Sequence, residues 1–406
     1  MWQAVLNQGM ERGTTRRRFL QTVGTTATGI GLAGTTNASG DSMGTGARYA
    51  AFNVIELETE QVQQPGDEQA EAAARIVQEV RPDVLVVNEL TNNLQEGEYT
   101  DTANIDAFVE NYLSVPQCEH LEGIDYPHTL QPASNTGVLP DEEFDFNKDG
   151  RAGERPGDAY GFGEYPGHYA FAVASRHPID EDGIRSFREF RWADMPDNLL
   201  PVEGDGVDED GLYLTEEETE VYRLSSKTHI DMPICVAGET VHGLFAHPTP
   251  PTFDGENNFN GRWNHDEVRF FADYVAGEGY IYDDGGTAGG LADDASYVLL
   301  GDMNAAPDGD RPLDPAGKFL FENEDFTTDR LPTSPGGAQR GNRYATRFGG
   351  DIEGVVEQID YVLPSPDLSV RDSAAVWPSE DSDERGLLSD VRTASDHRLV
   401  WADIEA

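Results

Sequence analysis

Residues 297–304 read Tyr297-Val298-Leu299-Leu300-Gly301-Asp302-Met303-Asn304. An apolar run closed by Gly and polar residues predicts a buried strand that ends at a sheet edge. In α/β proteins such ends collect ligand-binding and catalytic groups, because the strand fixes the backbone while the loop exposes the side chain. The pattern repeats along the chain. Ala50-Ala51-Phe52 runs into Asn53, Val84-Leu85-Val86-Val87 into Asn88-Glu89, and Val241-His242-Gly243-Leu244-Phe245 into His247. Gln358-Ile359-Asp360-Tyr361 and Ser395-Asp396-His397 follow nearer the C-terminus. Each place delivers a carboxylate, an amide or an imidazole, the residue types that bind metals and move protons.

Between these strands, residues 67–80 put Ala70, Ala73, Ala74, Val77 and Val80 on one helical face and stop before Pro82. The spacing therefore predicts strand–helix–strand from Ala50 to Asn88. Ile105 to Leu113 and His265 to Ala276 are further helix candidates, while Tyr169 to Ala174 and Val355 to Leu363 alternate as strands do. Two polar insertions, Pro116 to Gly167 and Trp192 to Glu220, are not apolar enough to form domains of their own. The reading is a single α/β domain over residues 47–406 with insertions at about 116–167 and 192–220.

Composition sets the surface and the address. The formal charge is −48, from 76 acidic and 28 basic residues, and Lys148, Lys227 and Lys318 are the only lysines. Such a surface repels itself in dilute buffer, whereas concentrated salt screens the repulsion and leaves carboxylates that hold water and cations. This is a halophile's surface. A disordered acidic chain is excluded by the continuous apolar strands and a hydrophobic content of 37%. Thr15-Arg16-Arg17-Arg18-Phe19-Leu20, followed by a Gly/Ala/Thr-rich stretch from Val23 to Ala33, reads as a twin-arginine export signal. Residues 1–40 are expected to be cleaved or disordered, and the mature protein to be extracellular or at the cell surface. No other segment is apolar enough to span a membrane. Cys118 and Cys235 either pair or stay as two thiols, and the sequence does not decide.

Phe52-Asn53-Val54, Asn88-Glu89-Leu90, Gly301-Asp302-Met303-Asn304, Ile359-Asp360-Tyr361 and Ser395-Asp396-His397 stand in the order found in the endonuclease/exonuclease/phosphatase superfamily. The chain resembles that superfamily, as an exported member of haloarchaeal type, from about Arg48 to Ile404. The resemblance implies a deoxyribonuclease I-like fold, a two-sheet β-sandwich flanked by helices in four layers. It implies a divalent-metal-dependent phosphoesterase using Mg²⁺ or Mn²⁺. One position departs from the pattern: Ile55 stands where some nucleases of the family carry Asp, with Glu56 and Glu58 the nearest carboxylates. One metal or two is left open.

Hydrolysis of a phosphate ester needs a positioned water, an acceptor for its proton, and positive charge against the phosphoryl oxygens. Glu89 suits Mg²⁺ or Mn²⁺, with Asn53 beside it if the first two strands pair, and Asp396 as a further ligand candidate. By the resemblance, Asp302 orients or deprotonates the water and Asn304 holds a phosphate oxygen or Asp302. His397 contacts the phosphate with Asp360 on its other nitrogen, and His247 stabilises or protonates the leaving oxygen. Arg262 and Arg176 are candidate phosphate clamps, with Asn264 a helix N-cap beside them. Asp145, Asn147 and Asp149 carry the first half of an EF-hand loop without its Glu at the twelfth position, so a structural Ca²⁺ would need Asp158 or Glu154. The leading expectation is an extracellular nuclease, acting as a monomer on phosphate-ester substrates such as DNA or nucleotides. The rivals are a phosphomonoesterase that scavenges phosphate from nucleotides or sugar phosphates and, from another class, a catalytically inactive binding module.

Overall fold

Asn53 and Glu89 become neighbours because the strands that carry them, Gly46–Leu57 and Val84–Leu90, pair in parallel with Asn53 opposite Asn88. A second parallel pair joins Glu239–Ala246 to Ser296–Asp302, with Gly301 opposite Ala246. The computed structural model describes residues 46–405 apart from 96–97, 204–211, 308–312, 350–355 and 382–385. The expected export signal lies outside the described residues.

Each parallel pair is the centre of a sheet. The first sheet has six strands in the order Ser369–Ala375, Val400–Glu405, Gly46–Leu57, Val84–Leu90, Phe171–Ser175 and His128–Leu130. The second has five, Asp360–Pro364, Ser296–Asp302, Glu239–Ala246, Ile230–Val236 and Arg185–Ser186. The apolar runs are continuous because both faces of each sheet are covered. Ala51, Val86 and Val173 of the first sheet meet Met232, Phe245, Val298 and Leu300 of the second. The alternate residues Phe52, Leu85 and Val87 point outward to Ala70, Ala73 and Val77 of the helix Glu68–Val80. On the other flank Leu244 and Leu299 meet Val268, Phe271 and Ala272 of the helix Phe259–Val275. Helix, sheet, sheet and helix stack in four layers, the architecture expected from the resemblance.

Element boundaries differ from the sequence reading where side chains override propensity. Asp67 caps the first helix, its carboxylate accepting from the N–H groups of Gln69 and Ala70. The second helix is a short α-helix, Asn104–Phe108, that continues as a π-helical turn to Leu113. The third begins at Phe259 rather than His265. Cys118 and Cys235 are both free, and Cys235 is exposed. Among the described residues no helix is long and apolar enough to cross a membrane.

Gly301 permits the close approach of the two strands that deliver His247 and Asp302. Its φ is +138°, and a Cβ there would lie 2.2 Å from the carbonyl oxygen of Ala246. Gly301→Ala should destabilise the protein by roughly 2–4 kcal/mol, combining a backbone clash with a conformation that L residues avoid. Thermal melts at fixed salt check this, and an unchanged midpoint would show that the strands can separate at no cost.

Candidate active site

The two sheets meet at one edge, and there the polar strand ends converge. The central strands bring their C-terminal ends, while Asp360 opens an antiparallel strand at the same edge, opposite Asp302. Asn88 welds the sheets: its amide donates to the carbonyl of Ala246 (3.1 Å), and its oxygen accepts from the N–H of Asp302 (3.2 Å). It is fully buried, so both contacts are made without competing water.

Left-handed backbone positions at this edge that are not glycine include Ile55 (φ 45°), Glu56 (54°), Glu89 (64°) and Asn304 (50°). Held this way by the surrounding structure, they aim side chains that an ordinary strand end would send elsewhere. The pairing is irregular between Asn53 and Leu57, which turns the chain out just after Asn53.

The amide nitrogen of Asn53 donates to Glu89 Oε1 (2.8 Å) and to Asp302 Oδ2 (3.0 Å). Its oxygen accepts from the N–H of Ile55 (2.9 Å). The side chain bridges two carboxylates, one from each sheet. His247 Nε2 lies 3.7 Å from Glu89 Oε1 and 3.6 Å from Asp302 Oδ2. From the other side His397 Nε2 lies 3.8 Å from the same Asp302 oxygen. His397 Nδ1 meets Asp360 at 3.0 Å, and the N–H of Asn304 donates to Asp302 Oδ1 (2.8 Å). Asn304 uses its side chain to hold the carbonyl of Pro248 (3.1 Å), so it shapes the loop after His247.

Protonation follows from burial and charge. Burial opposes a charge on His397, yet the carboxylates of Asp360 and Asp302 outweigh it and raise the imidazole to about 10. Burial and the nearby Lys227 and His397 instead hold His247 well below the ordinary value. These surroundings favour the protonated imidazole at His397 and the neutral one at His247. Burial raises the carboxyl of Asp302 against the pull of His397, and burial also raises Glu89 although Asn53 opposes it.

Two groups of three among the described residues bring ligand atoms within 4.8 Å of one another: Glu89, His247 and Asp302, and Asp302, Asp360 and His397. The first fits a hard divalent cation. Glu89 keeps 17% of its side chain exposed, so an ion can reach it, and buried negative charge is compensated when one binds. Asp396 lies at the rim, its carboxylate 3.3 Å from Arg347 Nε and 3.9 Å from His397 Nε2.

The expected phosphate clamps are elsewhere. Arg176 follows Ser175, which pairs with Val84 at the opposite end of the strand from Glu89, and its guanidinium binds Asp83 (2.7 Å). Arg262 is spent on the carbonyls of Asn257 and Leu199. Asn264 lies inside its helix, whose N-cap is Asn258, and donates to the carbonyls of Thr249 and Met303. Among the described residues, cations at this edge include Lys227 and Arg347. Lys227 is buried beside Glu89 and Asp302 with one long contact, 3.4 Å, to the carbonyl of Pro248. Arg347 belongs to a short strand bridged to His397 and feels the charges of Asp396 and Asp302. The scarcity of lysine was a usable signal for Lys227: an ammonium retained in so acidic a chain has a specific task. Arg347 carried no such mark.

The expected calcium loop is closed by hydrogen bonds to its own oxygens. Asp145 accepts from the N–H groups of Asp149 and Gly150, Asn147 from that of Asp149, and buried Asp158 from those of Asn147 and Glu154. Asp149 pairs with Arg151.

The model of the Endonuclease/Exonuclease/phosphatase family matches residues 37–397. No curated protein matches the chain by sequence. Among solved structures, an endonuclease/exonuclease/phosphatase from Beutenbergia cavernae DSM 12333 is 17% identical, with 89% of this chain and 72% of that one covered at a TM-score of 0.49. An AP endonuclease from Archaeoglobus fulgidus is 13% identical (87% and 98% covered, TM-score 0.40). A sphingomyelinase C from Streptomyces griseocarneus is 15% identical (88% and 99% covered, TM-score 0.44).

Proposed function

We propose a function from one premise: the chain belongs to the endonuclease/exonuclease/phosphatase family, whose members are metal-dependent phosphoester hydrolases. Within that chemistry the reading is an exported phosphodiesterase that degrades nucleic acid. The observation that carries it is the convergence of Glu89, His247, Asp302 and His397 from both sheets on one buried edge.

Glu89 and Asp302, with His247, would hold a divalent cation, which supplies positive charge against the phosphoryl oxygens when bound. Asp302, its carboxyl raised by burial, accepts a proton from the attacking water. Asn53 and the N–H of Asn304 keep that carboxylate aimed. As the new P–O bond forms and the ester P–O bond breaks, the leaving oxygen takes the proton from His397, which Asp360 holds in one orientation. His247, neutral, contributes an N–H or a lone pair. Lys227 and Arg347 supply fixed positive charge at the edge of the site.

Assay in molar salt against methyl p-nitrophenyl phosphate, p-nitrophenyl phosphate and plasmid DNA tests the reading. Hydrolysis of the two diesters with little action on the monoester is expected. Monoester hydrolysis alone would make the protein a phosphate-scavenging monoesterase, and no turnover of any of them would make it a binding module.

The halophilic reading carries its own expectation. With a net charge of −48, lowering ionic strength lengthens the range of carboxylate repulsion from about 3 Å at 1 M to about 30 Å at 0.01 M salt. The thermal midpoint should be roughly 10 °C or more higher in 1 M than in 0.01 M salt, each kcal/mol of relieved repulsion being worth at most about 2–4 °C in a chain of this length. A midpoint that does not move would refute it. Export by the twin-arginine route belongs to the same proposal and is checked by sequencing the N-terminus of the secreted protein.

A further inference from the structure

The insertion between Pro116 and Gly167 ends in a feature that the catalytic chemistry does not use. Phe162 presents 59% of its surface to solvent. Its backbone is not loose. A Cβ at Gly161 would lie 1.8 Å from the carbonyl oxygen of Ser226, and one at Gly163 would lie 2.8 Å from the N–H nitrogen of Gly137. Gly161 also exchanges hydrogen bonds with Asn135 and Gly137. Two glycines pinned to neighbouring backbone, Gly161 against Ser226, the residue before Lys227, thus hold a large apolar ring out into water.

Phe162 is the free end of a ladder of rings. Tyr169 lies 6.5 Å from it at an interplanar angle of 31°, His168 stacks on Tyr169 at 3.7 Å, and Tyr165 stacks on His168 at 4.6 Å. The ladder is fastened to the metal-binding edge. The hydroxyl of Tyr169 donates to Glu56 Oε1 (2.5 Å), and the N–H of Glu56 donates to Glu89 Oε2 (3.2 Å). Tyr169 takes the left-handed conformation, φ 59°, that swings its ring to this position.

We propose that Phe162, backed by Tyr169, is a stacking platform for a nucleobase flanking the scissile phosphate. The inference deepens the nucleic-acid reading and rests on it. A planar ring fits an exposed aromatic face whatever its base identity, and stacking survives salt that weakens phosphate–cation contacts. The second point matters here. With 28 basic residues against 76 acidic ones, and guanidiniums such as Arg176, Arg191 and Arg392 already paired with carboxylates, charge alone gives little hold on a polyanion.

Binding is read without turnover, on Glu89→Gln protein in molar salt, by anisotropy of fluorescein-labelled oligothymidine and of an abasic oligonucleotide of equal length. The thymidine ligand should bind about tenfold more tightly, Phe162→Ala should erase that preference, and Phe162→Trp should keep it. Phe162→Leu, apolar but without a ring, should behave as the Ala variant does and guards against misfolding of that variant. In otherwise unchanged protein, Phe162→Ala should raise KM for a thymidine dinucleotide about tenfold and leave methyl p-nitrophenyl phosphate untouched. A preference that persists in Phe162→Ala overturns the inference while leaving phosphodiester hydrolysis standing. Loss of all diester hydrolysis in the unchanged protein would instead remove the catalytic reading, and the anisotropy result would still stand alone. Sedimentation with phosphatidylcholine–sphingomyelin vesicles that depends on Phe162, without base preference, would assign the ring to a lipid surface and overturn the inference too.

Discussion

Glu89→Gln should lower turnover by roughly 10³-fold or more while leaving the circular dichroism spectrum and thermal midpoint nearly unchanged. The substitution removes one negative charge and almost no volume. Its amide oxygen can still accept from Asn53, which now meets Glu89 at 2.8 Å, so the bridge between the sheets survives. What is lost is a hard anionic oxygen at the one partly exposed carboxylate of the cluster with His247 and Asp302. Chelation of the unchanged protein should abolish hydrolysis to the same extent, and Mg²⁺ or Mn²⁺ should restore it. Added metal should do little for the Gln variant. Full activity of that variant in excess chelator would end the metal-dependent reading of this site.

Asp360→Asn should be nearly as damaging, roughly 10²-fold or more in kcat with little change in KM, because Asp360 touches no substrate. It holds His397 by both carboxylate oxygens, at 3.1 and 3.0 Å, and is the larger of the charges that keep the imidazole protonated. The sign of the pH effect follows. With His397 raised to about 10, the unchanged protein keeps its imidazolium until the pH approaches that value. Without the Asp360 charge, burial dominates and the proton leaves at lower pH. The loss should therefore be large at alkaline pH and shrink as the pH falls. A uniform loss at every pH would show that Asp360 sets only the ring orientation, and an unchanged rate would remove it from the site.

Much of this site is readable in one dimension because a buried strand must stop where its apolar run stops. Tyr297 to Leu300 can be covered on both faces only inside a sandwich, so Asp302 had to emerge at its edge, and the same holds for Glu89 after Val84 to Val87. The first helix is equally legible, since an Asp cap, an alanine stripe and Pro82 are local signals. The positive charge was not legible. Arg176 follows its strand at the end away from the site, and strand direction depends on pairing with Val84–Leu90, which no local signal shows. Arg262 and Asn264 failed for a related reason: the helix begins earlier than its apolar spacing suggests, and its first turns are occupied by carbonyls of distant loops.

The sequence by itself determined the class of fold, the strand ends and the residue types that stand at them, because burial and periodicity act on near neighbours. Tertiary structure alone decided what those residues do to one another. Asn53 became a bridge only when Glu89 and Asp302 arrived from two sheets. His397 favours its proton because Asp360 holds its other nitrogen, whereas burial and then Lys227 work against a charge on His247. Coulomb energy in a buried site depends on distances of a few ångströms between groups hundreds of residues apart, and those distances exist only once the two sheets have packed.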